Sequence, residues 1–230
     1  MLQPLPRPEV SVITVVRNGE QYLAEAIQSI LKQTHAPGEI IVIDGQSTDG
    51  TAAIARSFSQ VRYFRQPDRG LANARNLGLE AAKGAFIAFL DHDDLWAADK
   101  LETQIQTMME HPELLYTTTR LKFIVEPGAY LPSHLSPARL KSPQAGATPS
   151  ALVGRRRAFE ITGRFNPAYS IGCDADWFTR ARDGGLPAAE IPQVLLYKRL
   201  HQQNLSTNAA LNRQEMFRIA RESIRRKRRS

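Results

Sequence analysis

Residues 85–94 of the chain, AFIAFLDHDD, join a short apolar run to three carboxylates, and this stretch decides the fold. The run from Ala85 to Leu90 predicts a buried β-strand, and Asp91-His92-Asp93-Asp94 follows at its carboxyl end. Carboxylates crowded beside a buried strand repel one another, and a divalent cation offsets that repulsion. Mg²⁺ and Mn²⁺ take oxygen ligands and complete their shell with water and substrate phosphates. The segment therefore predicts a metal site for a nucleotide diphosphate, and the alternative is an acidic cap on a following helix.

Three strand and helix pairs precede this stretch, as hydrophobic periodicity indicates. The predicted strands are 10–16, 40–43 and 61–64, and the predicted helices are 20–32, 51–57 and 71–82. Strands that alternate with helices imply an α/β fold with a mostly parallel central sheet that is covered on both faces. Ligands of such sheets bind beyond the carboxyl ends of the strands. The polar turns after the strands are therefore where we expect the functional site.

The second half of the chain has a weaker pattern. Its predicted elements are a helix over 101–109, a mobile loop over 127–149, helices over 155–161 and 176–183, a strand over 194–199 and a basic helix over 212–229. We expect a single domain over residues 1–205, followed by a basic helical tail over residues 206–230.

The composition excludes several classes of protein. With 230 residues and 42% hydrophobic side chains, the chain has enough apolar surface for a globular core. No apolar run approaches the roughly 20 residues that span a bilayer, and prolines interrupt residues 1–8, where a signal peptide would be apolar. The single cysteine, Cys173, excludes an internal disulfide framework and a multi-cysteine zinc site. We therefore expect a cytoplasmic protein.

The net charge of +7 is unevenly distributed along the chain. Residues 225–229 carry five positive charges, so the rest of the chain is only +2. Such a cluster binds anionic lipid head groups or nucleic acid, or it is simply a solvated helix end. Between the two partners, we expect peripheral contact with the inner face of a membrane rather than nucleic-acid binding.

The turns after the other predicted strands contain further candidate residues. Asp44, at the end of the second strand, is expected to accept a hydrogen bond from a base or a ribose. Asn18 is also explained as a turn residue or helix cap. Arg75 pairs either with a phosphate or with a carboxylate, and its spacing from the other motifs is compatible with both.

Four segments, in this order and at this spacing, resemble the landmarks of the family 2 glycosyltransferases, which have the GT-A fold. They are SVITVVRNG at 11–19, IVIDGQSTDGT at 41–51, ARNLG at 74–78 and FLDHDD at 89–94. The resemblance covers residues 9–205. It implies a Rossmann-type three-layer sandwich in which about 9–95 binds a nucleotide sugar and 96–205 binds the acceptor.

The resemblance also implies roles for individual residues. The nucleotide sugar is expected to contact Val15, Arg17, Asp44, Arg75 and Asp91. The metal, Mn²⁺ or Mg²⁺, is expected on Asp93 and Asp91, and His201 is expected to contact the metal or the diphosphate. Val15 and Arg17 stand where the family often has Pro and Tyr, and Gly45 stands where a second acidic or amide residue is usual. These departures bear on how the base is recognised.

The segment GCDADWFTR at 172–180 resembles the part of the family in which an acidic pair opens a helix and supplies the catalytic base. Asp174 is expected to be the base, with Asp176 as the alternative. Without the resemblance, both residues are explained as helix caps. Arg199, or the loop over 127–149, is expected to close over the donor.

Taken together, the resemblance implies an inverting glycosyltransferase that moves a single sugar from a nucleotide diphosphate sugar, with UDP favoured. The acceptor is expected to be a hydroxyl of a glycan or of a lipid-linked molecule in surface glycan or glycolipid assembly. The Q-x-x-R-W motif of processive synthases does not occur in the sequence, so one sugar is expected per encounter. The alternatives are a nucleotidyltransferase of related fold and a non-catalytic scaffold that binds membrane or nucleic acid through its tail. Dinucleotide-binding G-x-G-x-x-G and P-loop motifs are absent.

Overall fold

The structure is a computed structural model that describes residues 9–129, 131, 136–204 and 209–228. The strands are β1 (Val10–Val16), β2 (Glu39–Asp44), β3 (Val61–Arg65), β4 (Phe86–Phe89), β5 (Leu95–Trp96), β6 (Tyr116–Val125), β7 (Gln144–Ala145), β8 (Val153–Arg155) and β9 (Ala188–Leu200). The helices are α1 (Leu23–Leu31), α2 (Thr51–Ser57), α3 (Leu71–Ala81), α4 (Lys100–Glu110), α5 (Pro137–Lys141), α6 (Arg156–Thr162), α7 (Cys173–Asp183) and α8 (Ala209–Lys227).

The described strands form one mixed sheet in the order β3-β2-β1-β4-β8-β6-β9-β5, with β7 paired to β6. The four strands β3, β2, β1 and β4 are parallel to one another. Beyond β4 the pairing changes, because β8 is antiparallel to both β4 and β6, whereas β9 is parallel to β6. The predicted α/β fold is confirmed. The parallel half of the sheet is the part that the strand and helix alternation predicted.

The alternation of side chains along β1 explains why the molecule has three layers. All seven residues of β1 are buried. Val10 and Val12 face the side of the sheet that α1 and α4 cover, whereas Ile13 and Val15 face the side that α3 and α7 cover. Because both faces of the strand are apolar, helices must cover both. The helices α1, α2 and α4 form one outer layer, and α3, α6 and α7 form the other.

Gly78 brings α3 into close contact with β1. A Cβ atom at position 78 would lie 2.4 Å from Cγ2 of Ile13, so the absence of a side chain permits this approach. Arg75 lies three residues earlier, on the same side of the helix. The close packing of α3 therefore buries Arg75 next to the carboxyl end of β4, where its guanidinium reaches Asp91.

The basic C-terminal helix α8 packs along α7. The Ser223 hydroxyl donates to Oδ1 of Asp183 at 2.9 Å, and Nε of Arg226 donates to Oδ2 of Asp183 at 3.0 Å. The Tyr169 hydroxyl, just before α7, donates to Oε2 of Glu222 at 2.9 Å. These contacts attach one face of the helix to the rest of the described chain.

The prediction of a mobile loop over 127–149 is wrong for the residues of this segment that the structure describes. The helix α5 begins after Ser136, whose hydroxyl accepts the N–H of Arg139 at 3.4 Å, and Pro137 occupies its first turn. The strand β7 then pairs with β6. Serine and proline are typical of loops, but the same residues also favour a helix start. Residues 130 and 132–135 of this segment, and residues 1–8, 205–208 and 229–230 of the predicted domain and tail, lie outside the described residues.

The attachment of α8 is expected to weaken in acid. Burial would raise the pKa of Asp183, but hydrogen bonds from Ser223 and Arg226 and the charge of Arg226 hold it below the ordinary value of 3.8. A carboxylate whose pKa is lowered by folding stabilises the protein above pH 3.8 and loses that effect as the pH falls through the folded-state value. Asp183→Asn should therefore lower the free energy of unfolding at neutral pH, and the difference from wild type should shrink below pH 3.8.

Urea unfolding at a series of pH values measures this difference. Glu160→Gln is the control, because Glu160 is exposed and its ion pair with Arg157 is 3.9 Å long. A stability difference for Asp183→Asn that does not change with pH would contradict the prediction.

Candidate active site

Polar turns meet at the carboxyl ends of the parallel strands, and hydrogen bonds tie two of them together. The N–H of Asn18 donates to Oγ of Ser47 at 2.8 Å, and the N–H of Gly19 donates to Oγ1 of Thr51 at 2.8 Å. The side chain of Asn18 accepts the N–H of Thr48 at 2.9 Å, and its backbone is left-handed with a φ of 52°. Asparagine tolerates this conformation better than most residues. Asn18 therefore has the role of a turn residue that links the turns after β1 and β2.

Asp44 is buried at the end of β2, and both of its carboxylate oxygens have partners. Oδ1 accepts the N–H of Ser47 at 2.8 Å, and Oδ2 accepts the hydroxyl of Tyr63 at 2.6 Å. Burial, the hydrogen bond and the charge of Asp44 raise the pKa of Tyr63 to about 12. Val15 is buried in the neighbouring strand, and Arg17 is exposed just beyond it. The structure thus brings the three predicted nucleoside residues to one edge, where Arg17 is the most accessible.

Arg75 connects the two halves of the candidate site. One terminal nitrogen of its guanidinium lies 3.1 Å from Oδ1 of Asp91, and the other pairs with Oδ1 of Asp174 and lies 3.4 Å from Sγ of Cys173. The side chain is 2% exposed. Of the two kinds of partner that the sequence left open, the structure shows carboxylates, and Asp91 and Asp174 share the one buried cation.

The two candidate bases lie in different surroundings. The side chain of Asp174 is 23% exposed and pairs with Arg75. The side chain of Asp176 is 1% exposed and accepts a hydrogen bond from Nε of Arg180 at 2.8 Å. The ion pair of Asp176 joins residues four apart on α7, which is a common way to stabilise a helix. Asp174 is therefore the more accessible of the two carboxylates.

Asp93 is buried next to His201, as the resemblance implied, and next to Asn204, which the sequence reasoning missed. Its Oδ2 lies 2.9 Å from Nε2 of His201 and accepts the amide of Asn204 at 3.1 Å. Burial would raise the pKa of Asp93, but the hydrogen bond from His201 and nearby positive charges hold it well below its ordinary value. Nδ1 of His201 accepts the N–H of Gln203 at 3.2 Å, so the proton of a neutral imidazole is on Nε2. His201 is thus arranged as a hydrogen-bond donor toward Asp93.

Lys198 supplies a cation to the acidic segment, and the sequence reasoning missed it. Its Nζ lies 3.3 Å from Oδ2 of Asp94 and 3.9 Å from Oδ2 of Asp91. Burial, assisted by the neighbouring carboxylates, raises the pKa of Asp94 to about 7 although Lys198 opposes this shift. Burial by itself would lower the pKa of Lys198, but the carboxylates outweigh it and raise that pKa. The alternative interpretation of the segment as a helix cap is wrong, because α4 begins at Lys100 and Asp94 is fully buried.

Arg199 is buried against the acidic segment, which corrects the expectation that it closes over the donor. Its N–H donates to Oδ1 of Asp94 at 3.1 Å, and its Nε donates to the carbonyl of Asp93 at 3.1 Å. Its guanidinium pairs with Glu25 of α1 at 2.7 Å and with Glu126 after β6. Three elements therefore hold Arg199 in place, and it in turn holds the backbone of the acidic segment. The only signal in the sequence was the position of Arg199 beside the segment that contains His201.

Comparison with known proteins shows the family to which the chain belongs. The profile of glycosyl transferase family 2 matches residues 11–178, which is more than half of the chain. The chain belongs to glycosyl transferase family 2. Among the curated relatives of this family 2 chain is the Escherichia coli protein named UDP-Glc:alpha-D-GlcNAc-diphosphoundecaprenol beta-1,3-glucosyltransferase WfgD. It is 43% identical over 105 residues, which cover 44% of this chain and 42% of WfgD.

Solved structures with a similar fold include two glycosyltransferases. TarS of S. aureus, residues 1–349 in complex with UDP-GlcNAc, has a TM-score of 0.72 at 19% identity, covering 87% of this chain and 61% of its own. The mannosyltransferase PcManGT of Pyrobaculum calidifontis, in complex with GDP-Man and Mn²⁺, has a TM-score of 0.72 at 22% identity. The match covers 96% of this chain and 65% of the PcManGT chain. The predicted GT-A-like fold of the family 2 chain is therefore confirmed.

The family 2 chain spans less than half of the length of the first curated relatives that it matches. None of the described helices is long and apolar enough to cross a bilayer.

The family resemblance implies a divalent metal at the acidic segment. Among the residues that the structure describes, no three His, Cys, Asp or Glu side chains form a group that could hold a metal ion. Mg²⁺ and Mn²⁺, however, are commonly held by one or two carboxylates, with water and substrate phosphates as the other ligands. Asp93 and Asp91 fit this type of site, because both are carboxylates at the carboxyl edge of the parallel strands. The N–H of His201 already donates to Asp93, so His201 fits as a residue that orients this carboxylate.

Replacement of Arg75 by methionine should destabilise the protein, because Asp91 and Asp174 would lose their shared cation. Removal of one partner of a buried ion pair costs about 3–5 kcal/mol, and water reaches both of these carboxylates, so we expect about 2 kcal/mol. Arg75→Lys should lose less stability, because lysine keeps the positive charge. It lacks the two terminal nitrogens with which the guanidinium reaches two carboxylates. Urea unfolding measures the free energy of both variants. Unchanged stability together with weaker nucleotide binding would instead make Arg75 a phosphate ligand.

Proposed function

We propose that this family 2 chain is an inverting glycosyltransferase that moves a single sugar from a nucleotide diphosphate sugar to a hydroxyl group. One observation carries the proposal: Arg75 holds Asp174 and Asp91 to the same guanidinium. A candidate base and a candidate diphosphate site are thereby held next to each other. Transfer needs both groups within reach of one anomeric carbon, which is the geometry that an orienting side chain provides.

The nucleoside is proposed to bind at the edge formed by Val15, Arg17 and Asp44. The carboxylate oxygens of Asp44 each accept one hydrogen bond, which leaves further acceptor capacity for a ribose hydroxyl or a base N–H. Arg17 is exposed at the same edge, where its guanidinium stacks on a base or pairs with a phosphate. UDP is the favoured nucleotide.

The diphosphate is proposed to bind over the acidic segment. Asp93 and Asp91 would hold Mn²⁺ or Mg²⁺, which when bound neutralises the charge that develops on the departing diphosphate. His201 donates a hydrogen bond from Nε2 to Asp93 and orients this carboxylate, and Lys198 adds a positive charge beside Asp91. The Lys198 ammonium is suited to a phosphate oxygen once the donor is bound.

The transfer step is assigned to Asp174. Its carboxylate takes the proton from the acceptor hydroxyl, whose oxygen forms a bond to the anomeric carbon. The bond from that carbon to the diphosphate oxygen breaks on the opposite face, so the configuration inverts. The partial exposure of Asp174 lets an acceptor approach it, while the ion pair with Arg75 fixes the direction in which its carboxylate points.

The names of similar proteins support a nucleotide sugar donor. WfgD is named for UDP-Glc and for a diphosphoundecaprenol acceptor, and the solved complexes contain UDP-GlcNAc in TarS and GDP-Man with Mn²⁺ in PcManGT. By analogy, we propose a glycan or lipid-linked acceptor in surface glycan or glycolipid assembly.

Turnover with UDP, GDP and dTDP sugars tests the proposal. Asp174→Asn should lower kcat by about 10²–10⁴, the usual contribution of a general base, while UDP still binds. Asp93→Asn should weaken Mn²⁺-dependent UDP binding in calorimetry, because the variant has one carboxylate fewer for the metal. Glu113→Gln, an exposed carboxylate far from these residues in the chain, is the control. Unchanged turnover in both variants would sink the proposed site, and nucleotidyl transfer from a nucleoside triphosphate would favour the alternative enzyme class.

A membrane-facing role is also proposed for α8, consistent with a lipid-linked acceptor. The face of α8 opposite to α7 exposes Phe217 at 66% and Ile224 at 53%. The same face of the helix also exposes three arginines, which are Arg213, Arg221 and Arg225. Apolar side chains flanked by arginines are typical of helices that lie at the surface of an anionic bilayer. We therefore propose peripheral contact with the cytoplasmic face of a membrane through this surface and the cluster at 225–229.

Flotation with vesicles tests the membrane contact. The protein should bind vesicles that contain phosphatidylglycerol and not vesicles of phosphatidylcholine alone. Arg221→Glu should weaken binding about tenfold or more, since it reverses one charge near the surface, and Phe217→Ser should weaken it by loss of apolar burial. Arg157→Glu reverses an exposed charge on α6 and should have little effect. Equal binding of the neutral and anionic vesicles would contradict the proposal.

A further inference from the structure

Glu215 is a buried carboxylate on α8 for which the proposed reaction has no use. It is 7% exposed. Its Oε1 accepts the N–H of Ser170 at 2.7 Å, and its Oε2 accepts the N–H groups of Ile171 at 3.1 Å and of Gly172 at 2.7 Å. One side chain thus binds three consecutive backbone donors.

These donors immediately precede α7, whose first turn contains Asp174. The first N–H groups of a helix lack partners within the helix, and a side chain near the start often satisfies them. Gly172 is the N-cap residue of α7 and offers no side-chain cap. Glu215 therefore supplies, from another helix, the negative charge that favours the positive end of α7.

The backbone at Gly172 fits closely against α8. A Cβ atom at position 172 would lie 3.0 Å from Oε2 of Glu215 and 3.1 Å from Cε of Met216. The absence of a side chain at this position is what allows the carboxylate to reach the backbone. The contact is separate from the other polar contacts of α8 described above, which join Ser223 and Arg226 to Asp183 and Tyr169 to Glu222.

We propose that Glu215 is a positioning residue that fixes residues 170–172 and so sets the position of Asp174 relative to Arg75 and the acceptor. This inference rests on the proposed function, in which Asp174 is the base. Glu215 touches neither donor nor acceptor in this scheme. It acts through the backbone that leads into α7, and it makes the C-terminal helix part of the catalytic apparatus.

The experiment compares Glu215→Ala and Glu215→Gln with wild type, using the full chain and the best donor and acceptor from the sugar panel. Glu215→Ala should lower kcat about tenfold to a hundredfold, because displacement of a catalytic group by about 1 Å has an effect of that size. The KM for the donor and the affinity for UDP with Mn²⁺ should stay unchanged, since the nucleotide residues lie on other elements. Glu215→Gln should recover part of kcat, because its amide oxygen still accepts backbone N–H groups.

Glu222→Gln is the matched control, because it changes a carboxylate on the same helix that contacts Tyr169 instead of residues 170–172. Its kcat should remain near that of wild type. Hydrogen exchange adds a readout that needs no turnover: the amides of Ser170, Ile171 and Gly172 should exchange faster in Glu215→Ala, and the amides of β1 should not. Equal loss of kcat in Glu222→Gln would show a general effect of loosening α8 and would overturn the proposal.

The outcomes also separate this inference from the proposed function. If Asp174→Asn is inactive while folded Glu215→Ala keeps full kcat, the positioning role is overturned and the base assignment stands. If Asp174→Asn keeps full turnover, the base assignment and the positioning role fail together. Loss of UDP affinity in Glu215→Ala would also overturn the proposal, because it would indicate damage beyond the base.

Discussion

The buried ion pairs of Arg75 are the interaction on which the candidate active site depends. A cation with 2% of its side chain exposed is unfavourable unless carboxylates surround it. Those carboxylates are Asp91, after β4, and Asp174, at the start of α7. Because neither is near Arg75 in the chain, the pairs form only when α3, β4 and α7 have assembled. The relative position of Asp91 and Asp174 therefore depends on the packing of these three elements.

The acidic segment is balanced in a similar way by the end of β9 and the turn after it. Lys198 lies beside Asp94, and Arg199 binds the backbone of Asp93. His201 also reaches Asp93. The sequence argument that three adjacent carboxylates need a divalent cation thus overstated that need, because protein cations supply part of the compensation. The metal remains a proposal, supported by the carboxylates of Asp91 and Asp93 at the carboxyl edge of the parallel strands.

Local patterns predicted the first half of the chain well, because each element there has a strong periodicity and a clear polar turn. The second half was harder. The strand β6, from Tyr116 to Val125, mixes apolar and charged residues, and its partner β9 comes more than sixty residues later, so neither periodicity nor spacing revealed the pair. Loop signals over 127–149 concealed α5, since proline and serine also begin helices.

By itself, the sequence determined that Asp44, Asp91 and Asp93 lie at the carboxyl ends of parallel strands, because hydrophobic runs set the strands and the turns follow from them. The tertiary structure alone decided which groups these residues meet. Arg75 was compatible with phosphate or carboxylate, and its contacts with Asp91 and Asp174 form only in the fold. The resemblance favoured Asp174 over Asp176 as the base, and packing buried Asp176 in an ion pair with Arg180 and left Asp174 partly exposed. No local signal in the sequence pointed to Glu215, because its partners are backbone N–H groups more than forty residues away in the chain. Periodicity is a property of neighbouring residues, whereas ion pairs and caps between elements depend on which surfaces the fold brings together.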